Sequence, residues 1–302
     1  MLLPLLLAAA VVGVAPIDTS GFNDSRHHWR NIIQPERFMQ ALPNQPSYKP
    51  EQVREIAANV LLFQRENGGW PKDYDLLAVL TEEQKKLVRD TRGNSDTSFD
   101  NHNTHPQIDY LARAFVTLGD PAYRDACVRG LDFMLGAQYA NGGFPQRWPK
   151  PSALGARITF NDGVMIGILN VLRDAATGAP HFAWLDQTRK ERARAAVGKG
   201  IDCILKMQIL ANGVRTGWGQ QHDESTFAPA PARTFEPACI SPTETIGIVS
   251  FLIREERPSA AIVECVDAAA VGRNGISEMA GGGEVGEDWP KAGSDGVGTG
   301  LA

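Results

Sequence analysis

"YANGGFPQRWP" (residues 139–149) gathers two adjacent glycines, two prolines, aromatic residues and one arginine between two stretches of helical apolar spacing. It is a repeated part. "RENGGWPKDY" (residues 65–74) has the same Asn-Gly-Gly-aromatic-Pro core, and "QILANG" (residues 208–213) is a shorter echo. Counted from their leading glutamines, the copies start at Gln64, Gln138 and Gln208, so they lie 74 and 70 residues apart. That interval holds two helices plus loops, and a helical hairpin of this size buries its apolar face only by stacking on its neighbours. Three such hairpins predict an all-α fold, an (α/α)3 toroid. Glycine supplies the positive φ needed just past a helix C-terminus, so the turns at 67–70, 141–144 and 212–213 are expected to end helices. Capping accounts for Gly142, Gly143 and the packing of Phe144. It does not require a cation after each loop, which is where Lys72 and Arg147 stand.

Working outward, Val53, Ile56, Ala57, Val60 and Leu61 recur at three- and four-residue steps, as do Ile108, Leu111, Ala112 and Phe115. Further periodic runs lie near 121–138, 163–176, 190–208 and 243–254, and no run shows sustained strand alternation. The catalytic-size domain is therefore set at 51–271. Residues 17–50, rich in Pro, Asn and Ser, are read as a leader wrapping the surface, and the Gly-rich stretch 272–302 as a disordered tail. Residues 1–16, "MLLPLLLAAAVVGVAP", form an apolar run of signal-peptide length ending in small residues, which points to a secreted or periplasmic chain without a membrane span.

With 302 residues, 43% apolar, 22% charged and a formal charge of −5, the chain has ample core and no basic block for nucleic acid. A monomer is expected, and an anionic ligand would need locally placed cations. Cys127, Cys203, Cys239 and Cys265 are too widely spaced for a disulfide framework or a zinc pattern; pairing and buried free thiols both stay open.

Candidate chemistry sits where helices begin. "SDTSFDNHNTHPQIDYL" places Asp100, Asn101, Asn103 and Thr104 ahead of one apolar helix, and "RITFNDGVMIGIL" places Asn161 and Asp162 ahead of another. Each alone reads as an N-cap, satisfying orphan helix N–H groups. Two Asp-Asn pairs at equivalent places in successive hairpins can instead converge on one cleft, and hard oxygen ligands of this kind suit calcium better than a transition metal. A third segment, "GWGQQHDESTFAPAPARTFEPACISPTETIGIVSFL", holds His222, Asp223, Glu224, Arg233 and Glu236. His222 has no partner histidine at helical spacing, which argues against zinc. Arg233 lies in a stiff Pro-Ala stretch, where a structural salt bridge to a carboxylate competes with a functional role.

"NGGWPKD", "FDNHNTHPQIDYLARAF", "YANGGFPQRWP", "ITFNDGVMIGIL", "KGIDCILKMQI" and the 221–253 segment, in that order over roughly residues 50–254, resemble the pectate lyases of polysaccharide lyase family 10. The resemblance implies an (α/α)3 toroid that cleaves polygalacturonate by calcium-assisted β-elimination. It further implies that Asp100 and Asp162 are calcium-linked carboxylates, with Asp100 counted as catalytic, and that Arg233 is the base. Lys72, Asn101, Arg147 and Asn161 are implied substrate contacts. His102 and Asn103 stand where a Gly-Ala-like pair is expected, and nothing after Arg257 resembles the family's aromatic- and Arg-rich C-terminal segment. Two other classes share the pattern: a non-catalytic pectin-binding toroid, and a terpene cyclase-like α/α barrel. The latter lacks its expected "DxDD" acid here.

Overall fold

The computed structural model describes residues 14–149 and 152–281. The expected signal segment lies almost wholly outside these residues, as does 282–302 of the expected tail.

Nine α-helices make up nearly half of the described residues: α1 (Asn23–Asn31), α2 (Val53–Phe63), α3 (Glu82–Asp90), α4 (His105–Leu118), α5 (Pro121–Gly136), α6 (Val164–Thr177), α7 (Gln187–Met207), α8 (Pro242–Leu252) and α9 (Ala260–Gly281). Helices α4, α6 and α8 lie side by side as the inner layer, while α2, α5, α7 and α9 succeed one another outside them. This is the toroid that the repeat predicts. Each unit runs from an outer helix through a long loop to an inner one: α2 to α4, α5 to α6, α7 to α8. Helix α6, flanked on both sides, buries Val164, Met165, Ile168, Leu169, Val171, Leu172, Ala175 and Ala176, which explains why its apolar positions are nearly continuous.

The repeated glutamine has one job in all three units. Gln64 Nε2 donates to the carbonyls of Gly68 and Ala126, each at 2.9 Å. Gln138 Nε2 donates to Gly142 O (3.0 Å) and Ala196 O (2.8 Å), and Gln208 Nε2 to Thr216 O and Cys265 O, both 2.8 Å. Each side chain thus satisfies one buried carbonyl of its own loop and one of the next outer helix, stapling neighbouring hairpins where an unpaired acceptor would be costly. Trp70 and Trp218, fully buried, donate their indole N–H to Val60 O and Ile204 O of the preceding outer helix, both at 2.8 Å.

The glycines do not end helices, contrary to the sequence expectation. Helix α2 ends in extended Gln64, four residues before Gly68, and α5 ends at Ala137; left-handed glycine caps occur instead at Gly119 and Gly178. Gly68 and Gly142, both with φ +95°, press against the backbone of the next outer helix: a Cβ on Gly68 would meet Arg129 O at 2.5 Å, and one on Gly142 would overlap Lys199 O. Both conformation and space therefore exclude a side chain. Gly142→Ala is expected to destabilise the fold by about 2–4 kcal/mol, whereas Gly198→Ala, in an open helical position of α7, should stabilise it by about 0.5–1 kcal/mol. Denaturant midpoints of the two variants check this.

Two further expectations are corrected. Residues 17–50 are not a surface wrap, since Phe22, Trp29 and Met39 are buried in the common core. The Gly-rich stretch does not begin without structure at 272, because α9 continues to Gly281. Helix α3 had a legible signal in "TEEQ": Thr81 and Gln84 form a reciprocal capping box. The four cysteines are free thiols, three buried and Cys239 exposed. Among the described residues no helix is long and apolar enough to cross a membrane.

Candidate active site

The connections from outer to inner helices meet at one end of the toroid and enclose a cleft of about 500 Å³. Short antiparallel pairings hold them together: Ser98 bridges to Arg147, and β1 (Ile158–Thr159) pairs with β2 (Gln221–His222). Lys72, Asp100 and Asn101 reach the cleft from the first connection, Gln146, Arg147, Asn161 and Asp162 from the second, and Gln220, Gln221, Arg233 and Glu236 from the third. Every residue that the family resemblance implies for the site lines this one cleft, whereas Asn103, Thr104, His222, Asp223 and Glu224 do not. His28 of α1 lines it too, as do Gln146 and Gln220; no spacing or motif marks His28, and the two glutamines lie inside the quoted segments with nothing to single them out.

The Asp-Asn pairs are not helix caps. Thr104 and Gly163 hold the N-cap positions of α4 and α6, and neither end has a side-chain cap. Asn101, His102 and Thr104 have φ of 53°, 53° and 70°, and Asp162 has 52°. Left-handed backbone at non-glycine residues is strained and persists where surrounding contacts impose it. Here it turns the carboxylates of Asp100 and Asp162 toward one another.

Lys72 Nζ lies 2.6 Å from Asp100 Oδ2 and 3.0 Å from Asn101 Oδ1; Gln146 Nε2 donates to Asp100 Oδ1 at 2.9 Å. Asn161 Nδ2 donates to Asp162 Oδ2 at 2.7 Å. Burial, then the neighbouring charges of Asp100 and Asp24 and a hydrogen bond with Asp100, push the Asp162 carboxyl up to about 7. Two carboxylates this close share a proton or require a cation. A carboxyl whose folded-state value lies above its unfolded one stabilises the fold at low pH, and that contribution is lost as pH rises from about 4 to about 7. Without added metal, melting temperature should therefore fall less over this range in Asp162→Asn than in the parent.

Arg233 stands at the rim on a tight turn. Its side chain is 62% exposed, and its Nε and Nη2 donate to Glu236 at 2.9 and 2.5 Å. Hydrogen bonding to Glu236 raises its pKa further, so in this state it holds its proton. The anticipated salt bridge exists, but inside the cleft. His222 is structural: its Nδ1–H donates to Phe227 O at 2.8 Å and its Nε2 accepts from Gly219 N–H at 3.1 Å, so burial keeps it neutral and zinc is excluded there.

A larger cavity, about 1010 Å³, runs beside α4 and α6 and contains Asp109, Asp174 and His181, whose ligand atoms lie within 4.8 Å of one another. Volume does not make it the site. Arg113 already binds Asp109 through Nε (2.8 Å) and Nη2 (3.1 Å), and His181 Nε2 lies 3.0 Å from the same carboxylate, so its charges are matched internally.

The family model described as pectic acid lyase matches residues 64–281. The chain belongs to the pectic acid lyases. Two solved structures are similar in fold. Family 10 polysaccharide lyase from Cellvibrio cellulosa is 30% identical, with a TM-score of 0.65, covering 78% of this chain and 73% of the other. An aspartate-to-alanine mutant of that enzyme in complex with trigalacturonic acid is 31% identical, with a TM-score of 0.66, covering 74% and 71%. No curated protein sequence gives a significant match. The present chain is thus a pectate lyase of polysaccharide lyase family 10, and the all-α toroid is the fold that this family membership accompanies.

Proposed function

We propose that this pectate lyase cleaves polygalacturonate by β-elimination, with calcium held by Asp100 and Asp162 and with Arg233 removing the C5 proton. The observation that carries this reading is the convergence of paired carboxylates and of Lys72, Arg147 and Arg233 on one cleft. The relative crystallised with trigalacturonic acid supports the choice of substrate. An exported location suits an enzyme acting on a polymer.

The donors fit calcium: two facing carboxylates that burial and mutual repulsion make hold a proton, with the carboxamide oxygens of Asn101 and Asn161 beside them. Bound there, calcium would neutralise a galacturonate carboxylate and stabilise charge developing beside it. Lys72 and Arg147 supply further positive charge along the cleft, and Asn161 orients the Asp162 carboxylate. Loss of the C5 proton to the base leaves an electron pair that forms the C4=C5 bond as the bond from C4 to the glycosidic oxygen breaks. The leaving oxygen takes up a proton, returned by the protonated base or by water, and ends as a hydroxyl. A guanidinium has no lone pair to receive the C5 proton, so Arg233 serves as base only after it has left Glu236 and given its own proton to solvent, which desolvation beside bound calcium and alkaline pH would favour.

The Glu236 pair favours a second reading, in which Arg233 stays protonated and only binds a carboxylate. Polygalacturonate incubated with the parent should yield an unsaturated product absorbing in the ultraviolet, lost on chelation and restored by calcium. Binding without any such product would reduce the chain to a pectin-binding toroid.

A further inference from the structure

Helix α1 lies outside the 64–281 span matched by the family and before the domain boundary expected from sequence, yet it places His28 in the lining of the cleft. It is firmly seated. Trp29 is buried and donates its indole N–H to Met39 O (3.1 Å), Ser25 Oγ donates to Tyr74 O (3.0 Å), and Arg30 Nε donates to the fully buried Asp75 at 2.7 Å. From this base α1 points Asp24 and His28, one turn apart, at Asn101.

Asn101 is 5% exposed and its carboxamide is bonded at both ends. Its Oδ1 accepts from Lys72 Nζ at 3.0 Å, while its Nδ2 donates to Asp24 Oδ2 at 3.1 Å and stands 3.2 Å from His28 Nε2. Chemistry fixes the orientation. An ammonium has no lone pair and a carboxylate has no proton, so the oxygen must face Lys72 and the nitrogen must face Asp24. His28 Nε2 then acts as an acceptor, with its Nδ1 turned toward Asp73 Oδ1 at 3.9 Å. The same lysine bonds Asp100, which completes a chain from Asp24 through Asn101 and Lys72 to Asp100.

We propose that Asp24 and His28 are positioning residues of the lyase site, locking the Asn101 carboxamide so that its oxygen holds Lys72 against Asp100. Without them the amide is free to turn, presenting N–H groups to an ammonium, and Lys72 is driven from its place. The α1 helix is then a working part of the cleft, and its anchors Trp29 and Arg30 are what keep it there. This rests on the lyase reading for its kinetic consequence, but the geometry itself does not.

The test is a double-mutant cycle in the full chain between Asp24→Ala/His28→Ala and Asn101→Ala, with circular dichroism confirming the fold. The α1 substitutions should lower kcat/KM on polygalacturonate at least tenfold, mostly through KM. They should change it less than twofold when Asn101 is already Ala. Asp24→Asn, which retains an acceptor oxygen, should recover activity to within about threefold of the parent. The Asn101 side-chain NH2 resonances give a reading without substrate: they should move, and exchange faster with water, in Asp24→Ala/His28→Ala. If the parent makes no unsaturated product, the lyase reading fails and these resonances alone decide the positioning role. Unmoved resonances, or an equal loss in the Asn101→Ala background, would overturn it.

Discussion

Replacing Arg233 with Ala or with Lys is expected to lower formation of the unsaturated product by about 10²–10⁴-fold, the range for loss of a positioned proton acceptor, while oligogalacturonate binding weakens less than tenfold. Arg233 reaches the rim from a turn closed by Glu236 N donating to Arg233 O at 2.8 Å, and Ala232 N donates to Glu236 O at 3.0 Å. This geometry fixes the backbone and leaves the guanidinium held by its bidentate pair with Glu236. Lysine keeps the charge but loses the planar fork, so its failure separates geometry from attraction of an anion. A Lys variant near the parent rate would show that Arg233 only binds a carboxylate, and Lys72 or Arg147 would become the next candidates for the base.

The second large effect is expected at the carboxylate pair. Asp100→Ala removes one of two facing carboxylates, leaves Gln146 Nε2 without its acceptor and leaves Lys72 Nζ only the Asn101 carboxamide oxygen. Calcium stimulation should disappear, with activity falling by about 10³-fold or more, because neutralisation of the substrate carboxylate is then lost along with the order of Lys72. Asp162→Ala should behave likewise, and each variant should bind calcium at least tenfold more weakly by calorimetry in the presence of trigalacturonate. Since ligands must be ionised, parent affinity should rise as pH passes through the neutral range where Asp162 loses its proton. Undiminished calcium dependence in either variant would place the metal elsewhere.

Much of this was legible in the sequence because the toroid repeats. Three glutamines at fixed intervals announced three hairpins, and the structure gives each the same two carbonyl acceptors. Lys72, Asp100, Asn101, Arg147, Asn161 and Asp162 were identifiable because they sit in or beside repeated motifs, and repetition is what brings them to one end of the fold; Arg233 was marked only by the family resemblance of its segment. The glycines were placed correctly and explained wrongly: positive φ is common to a helix cap and to a close approach, and only the neighbouring backbone of α5 and α7 distinguishes the two. Residues 17–50 were misread because α1 is short and polar, with only Ser25 and Trp29 buried, so its anchoring comes from loops distant in sequence. Asp24 and His28 carry no periodic signal, and their partner Asn101 lies more than 70 residues away. Gln146 is hidden in the same way: its role exists only once the second connection lies against Asp100.

The most direct measurement is a crystal structure of Arg233→Ala with calcium and trigalacturonate. The account predicts a calcium ion bonded to both Asp100 and Asp162 at about 2.4 Å, a galacturonate carboxylate beside it, and that sugar's C5–H directed at the space left by the Arg233 guanidinium. A ligand seated instead beside Asp109, Asp174 and His181, or a C5–H facing away from position 233, would contradict it.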